Sequence, residues 1–134
     1  MTVDRRFVPS GAAVGVMPRS VISCRSAWAA SHPGQINKLL RSLDQAEEYT
    51  TNHPNEAKAI VQRKMNYTER YMATAWPNHQ FSLTLDQSLL IAMNDEGRWM
   101  INNNLTTEKT LPYFRDYIYT KGLEEIKPES VNIR

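Results

Sequence analysis

The sequence predicts a mainly α fold, about five helices with one or two short strands. Three observations carry that expectation. Apolar residues recur at helical spacing in several separate segments. His-Pro stands twice directly before such a segment, in "SHPGQINKLL" (31–40) and "NHPNEAKAIVQ" (52–62). Only "QFSLTL" (80–85) alternates apolar and polar residues as a half-buried strand does.

In chain order, residues 1–20, "MTVDRRFVPSGAAVGVMPRS", hold no periodic apolar pattern and are expected to be a poorly ordered tail. Residues 21–134 are expected to form the helical segment. It begins with a short strand near 21–25, in which Cys24 is buried. From Pro33, the residues Ile36, Leu39, Leu40, Leu43 and Ala46 share one helical face, while Lys38, Arg41, Gln45 and Glu48 take the others. Pro33 suits a first turn, where its missing N–H costs nothing, and Ser31 or His32 is placed to cap. The same grammar returns at Asn52, His53 and Pro54, before Ala57, Ile60 and Val61.

A third, short helix is expected from about Thr68, with Tyr71, Met72 and Ala75 on one side, ending before Pro77. The alternating segment then turns Phe81, Leu83 and Leu85 to one face. Thr84 and Gln87 have capping-box spacing, and the longest helix is expected after them. Its stripe is Leu89, Leu90, Met93, Gly97, Met100 and Ile101. A glycine there costs about 1 kcal/mol against alanine, so its presence marks the close approach of another element. "NNNLTTEK" breaks this helix. A fifth is expected from Pro112 to Gly122, before the polar and then extended tail "EEIKPESVNIR".

With 134 residues, 41% apolar and 22% charged, the chain has the composition of one ordinary globular domain. The net charge of +2 names no partner. Residues 1–41 hold six basic residues and one acid, while the remainder holds ten and thirteen. That basic excess is scattered rather than gathered on one element with aromatics, which argues against nucleic-acid binding. A single cysteine excludes an intrachain disulfide framework. "VISC" imitates a lipoprotein signal ending at Cys24, but Pro9, two glycines and Arg19 interrupt the pattern.

His32, His53 and His79 are never three or four residues apart, so no helix presents two of them to a metal. Glu47 with Glu48, and Asp95 with Glu96, read as solvated helix faces. Ser23, Cys24 and Ser26 have no neighbouring base, and neither a nucleophile elbow nor a phosphate-cradling loop occurs. The expectation is therefore a non-enzyme with no catalytic residue, no metal and no cofactor.

Three ordered stretches resemble the C-terminal part of the substrate-binding proteins of ABC importers, in the nitrate/sulfonate/taurine-type family that includes binders of thiamine-pyrimidine precursors. They are "VISCRSAWAASHPGQINKLLRSLDQAEEYTTNHPNEAKAIV", "QFSLTLDQSLLIAMNDEGRWMI" and "PYFRDYIYTKGLEEIKPESVNI", spanning residues 21–134. The resemblance implies a partial periplasmic binding protein fold, in which the strand near 21–25 joins the sheet of a lobe outside the matched region. It also implies an ABC permease as partner and a small anion or heterocycle as ligand when both lobes are present. An extracytoplasmic location follows from it, with the cytoplasm as the alternative because no signal peptide is legible. Family members are roughly twice this length, and residues 1–20 match nothing in them. Ligand-contact residues therefore remain unknown. Arg25 is the one residue whose position and charge suit an anionic ligand, and a solvated arginine is the simpler reading. Two alternatives from other classes stand beside this: a free-standing helical protein-interaction module, and an enzyme of thiamine-precursor synthesis, which would need a reactive cluster not seen here. Alone, the segment is expected to self-associate or to be unstable.

Overall fold

Each His-Pro pair opens a helix in the computed structural model, which describes residues 20–133. The tail expected at 1–20 lies, Ser20 apart, outside those residues. In chain order the helices are α1 (Ser26–Ser31), α2 (Pro33–Asn52), α3 (Pro54–Met65), α4 (Glu69–Ala75), α5 (Gln87–Asn102) and α6 (Lys121–Ile126). Single 3₁₀ turns lie at Trp76–Asn78, Phe114–Tyr117 and Pro128–Ser130.

The two His-Pro junctions are built alike. A residue before proline is driven out of the αR region, and His32 and His53 both sit at φ −130° with ψ of 44° and 57°. Neither imidazole caps the following helix. The entry is stabilised by backbone instead: Ile36 N–H donates to the His32 carbonyl at 3.2 Å, and Ala57 N–H to that of His53 at 2.9 Å. Each ring folds back on an aromatic four residues earlier. His32 stacks on Trp28 with ring centres 4.7 Å apart, and His53 on Tyr49 at 4.9 Å. Thus the sequence pattern is aromatic-x-x-x-His-Pro, and the ring takes a packing role where capping was expected.

Because the prolines contribute chiefly chain stiffness, Pro33→Ala and Pro54→Ala are each expected to cost no more than about 1 kcal/mol. Thermal melts check this; a fall larger than that would show the pyrrolidine itself holds the junction.

Four of the expected helices form where the sequence puts them, as α2 to α5. Thr68 caps α4 by accepting from Tyr71 N–H. Asn66, at φ 53°, ends α3 in the left-handed conformation that asparagine tolerates. Several expectations are corrected. The longest helix is α2, with 20 residues against 16 for α5. The cap of α5 is Asp86, whose carboxylate accepts from Ser88 N–H at 2.9 Å, in place of a Thr84–Gln87 box. The fifth helix does not run from Pro112 to Gly122. Phe114 makes a single turn there, because its ring packs against the bare Cα of Gly97 on α5.

Gly122 does not terminate a helix; it lies buried inside α6. A Cβ there would stand 2.8 Å from Leu40 Cδ1, so the missing side chain is what lets α6 settle onto α2. Gly97 behaves as expected, with Leu111 Cδ2 2.7 Å from where its Cβ would be.

The expected strand near 21–25 does not form. Residues 20–25 run without helix, turn or bend, Cys24 is exposed, and Val21 and Ile22 are 68% and 69% exposed. An apolar stretch with no neighbouring strand has nothing to complete its hydrogen bonds. Among the described residues the only β element is an isolated parallel bridge between Leu85 and Val131. Leu85 N–H donates to the Ser130 carbonyl and Asn132 N–H to the Leu85 carbonyl, both at 2.9 Å.

The core is thin. Its buried apolar residues are Ala29, Ala57, Met72, Leu90, Leu123 and Ile133. The stripe on α2 is covered on one side only, so Ile36, Leu40 and Leu43 are half-buried while Leu39 and Ala46 face solvent.

Candidate functional site

The densest polar arrangement lies where α2 meets the tail that follows α6. Asp44 and Glu47 are one turn apart on α2, which turns both carboxylates to the same side. Lys127, just past the end of α6, reaches Glu47 Oε1 at 2.7 Å and Asp44 Oδ1 at 3.4 Å. The other Glu47 oxygen accepts from Leu83 N–H at 2.7 Å. One carboxylate therefore ties together α2, the extended segment and the C-terminal tail, over sequence separations of 36 and 80 residues.

Burial alone would raise the pKa of Glu47. The hydrogen bonds from Lys127 and Leu83, with the ammonium's charge, outweigh it and hold the carboxyl below its usual 4.5. The same pairing holds Lys127 above its usual 10.5. Glu47 was expected on a solvated face, and that reading is corrected here; Glu48 does face solvent. No spacing rule finds such a node, since its partners lie far off in the chain.

Two adjoining hollows flank Glu47 and Thr51. One, of about 300 Å³, is lined by Asp44, Glu48, Asn52 and Lys127. The other, of about 430 Å³, has Trp76, His79 and Phe81 along one wall and Pro54 on another. Both are broad and open. The hydroxyls of Thr50 and Thr51 donate back into α2, to the carbonyls of Ala46 and Glu47.

The remaining candidates are dispersed. Arg25 is exposed and lies at the N-terminal end of α1, where its carbonyl accepts from Trp28 and Ala29 N–H. The three histidines belong to three different places: His32 on Trp28, His53 on Tyr49 and beside Glu56, His79 on Phe81. Among the described residues no group of three His, Cys, Asp or Glu side chains could hold a metal ion. Ser31 Oγ does lie 2.8 Å from His32 Nδ1. Its hydroxyl, however, is also within reach of the Ala27 and Trp28 carbonyls, at 2.9 and 3.1 Å, and no acidic group among the described residues orients the ring. That is a helix end satisfying its own carbonyls.

Across the second junction, Tyr49 Oη donates to Glu56 at 3.0 Å, which raises the phenol above its usual pKa and braces α3 against α2. No helix among the described residues is long and apolar enough to cross a membrane. No protein-family model, curated protein or solved structure matches the chain.

Proposed function

We propose that this chain is a partial solute-binding component of an ABC importer, serving a small anion or heterocycle such as nitrate, a sulfonate, taurine or a thiamine pyrimidine precursor. It would work without catalysis or cofactor, by hinge closure of two lobes over the ligand and delivery to the permease. One observation supports this above the others. The tail "KPESVNI" returns across the molecule to pair in parallel with the extended segment at Leu85. Parallel pairing requires a crossover connection and belongs almost always to α/β sheets covered on both faces, the architecture of such binding lobes. Here that pairing is a single bridge, and Val21 and Ile22 lie largely uncovered, with Phe81 partly so.

The second reading, a free-standing helical interaction module, draws on a different feature. Trp99, Tyr113 and Tyr117 are 58%, 68% and 72% exposed around the contact between α5 and the turn at Phe114–Tyr117. Aromatic residues are enriched at protein interfaces.

The described residues hold helices and a single bridge, without the sheets on which two lobes and a cleft would be built. Calorimetric titration of the purified chain with nitrate, taurine, alkanesulfonates and pyrimidines is therefore expected to give no sub-millimolar binding. A gene neighbourhood holding a permease and an ATPase is expected alongside. A stoichiometric, sub-millimolar ligand on a well-behaved monomer would overturn the partial-component reading, and capture of a protein partner with no transporter genes nearby would favour the module.

A further inference from the structure

The bridge at Leu85 leaves an edge open. Along an extended strand, successive residues point their N–H and C=O groups to opposite sides. Leu85 turns both of its groups to the C-terminal tail, and Leu83 turns its N–H to Glu47 on that same side. Ser82 and Thr84 consequently present theirs to the other side. Both residues are exposed, and neither backbone has a hydrogen-bond partner among the described residues. An edge of this kind is a template for strand addition.

The chain also carries a segment suited to that template. Among the described residues the backbone groups from Ser20 to Cys24 have no hydrogen-bond partner, and the segment runs without turn or bend and carries the β-branched pair Val21–Ile22. No backbone hydrogen bond joins the two halves within one molecule. Segment 20–25 precedes α1, which leads into the start of α2, whereas Leu83 rests on Glu47, fourteen residues and about 21 Å along α2 from Pro33.

We propose that residues 20–24 of one copy add as a strand to the open edge at residues 82–84 of a second copy, reciprocally, so that two-fold exchange closes a dimer. Donor and acceptor on one chain make the exchange self-complementary, the condition for an isologous interface. The uncovered parts of Val21, Ile22, Trp28 and Phe81 amount to on the order of 400 Å² per copy. Doubled by symmetry and joined by the backbone of two added strands, that approaches the roughly 1,200 Å² at the lower end of stable interfaces. This inference goes beyond the transport reading and does not depend on any ligand.

Light scattering coupled to size exclusion, with hydrogen exchange, tests it on the full chain. Ile22→Asp spoils the added strand and Thr84→Pro removes an edge N–H that no bond among the described residues uses. Each is expected to weaken the dimer at least tenfold. Mixing the two variants should recover one of the two strand additions, because the proline variant's donor still fits the aspartate variant's edge while the opposite site carries both lesions; its signature is protection of Thr84 in the aspartate variant alone. Amides of 21–23 and of Thr84 should gain protection on dimerisation. A monomer at high micromolar concentration, a dimer indifferent to Ile22→Asp, or protection of these amides in a monomer would each overturn the proposal. Should Thr84→Pro fail to fold, Ile22→Asp at an exposed position and the exchange pattern still decide it.

Discussion

Leu123→Asp is expected to leave no folded protein at 25 °C. Leu123 is 2% exposed, the largest fully buried side chain among the described residues, and lies on the face by which α6 packs on α2. Losing a buried leucine costs about 2–5 kcal/mol. An unpaired carboxylate in its place adds several more. The whole stability of a domain is about 5–15 kcal/mol, and a core this thin belongs at the low end. Urea titration followed by circular dichroism measures the effect. Leu123→Met, close in volume, is the control and should stay within about 1.5 kcal/mol. An aspartate variant melting within a few degrees of the parent would mean that α6 lies outside the cooperative unit.

The second large effect is expected at the Glu47–Lys127 node. Their side chains are only 21% and 19% exposed, so the pair is screened far less than a surface ion pair. Glu47→Leu strands the Leu83 N–H and leaves the Lys127 ammonium with Asp44 alone, at 3.4 Å, a loss on the order of 2–4 kcal/mol. Lys127→Met removes one charge-assisted bond and leaves Glu47 its bond to Leu83, so it should cost less.

The pair also makes stability depend on pH at both ends. Glu47 has a lowered pKa in the fold, so its contribution is present above the ordinary value of 4.5 and is lost as pH falls through the lowered one. Lys127 has a raised pKa, so its contribution is complete below 10.5 and is lost as pH rises through the raised value. Lys127→Met should flatten the alkaline limb and weaken the acid one. Denaturation midpoints measured from pH 3 to pH 11 supply the comparison, and a variant with the parent's profile would remove the node from the account of stability.

Local rules acting on neighbouring residues were sufficient for α2 to α5. Proline at a first turn, a threonine or aspartate cap, a left-handed asparagine and a repeating apolar stripe each operate within a few residues. The proline entries, the start at Thr68 and the apolar stripes were therefore legible in the sequence, as was the mainly α class, whereas the Asp86 cap and the left-handed Asn66 came from the structure. The close approach at Gly97 was legible too, because a glycine inside an apolar stripe has a cost that something must offset. Gly122 defeats the same logic: a glycine beyond a short apolar run signals a helix end, and only the position of Leu40 explains one inside α6. Residues 112–122 read as helix by pattern, yet the docking of Phe114 on α5 decided otherwise.

The strand at 21–25 shows the limit most clearly. Its composition is right for a strand, but a strand exists only when another backbone completes its hydrogen bonds, and no local pattern records whether that neighbour is present. The Glu47 node is the same case in charge. Whether a carboxylate on a helix is solvated or tied to an ammonium 80 residues away depends on where two distant segments come to rest, and only the tertiary structure decides that.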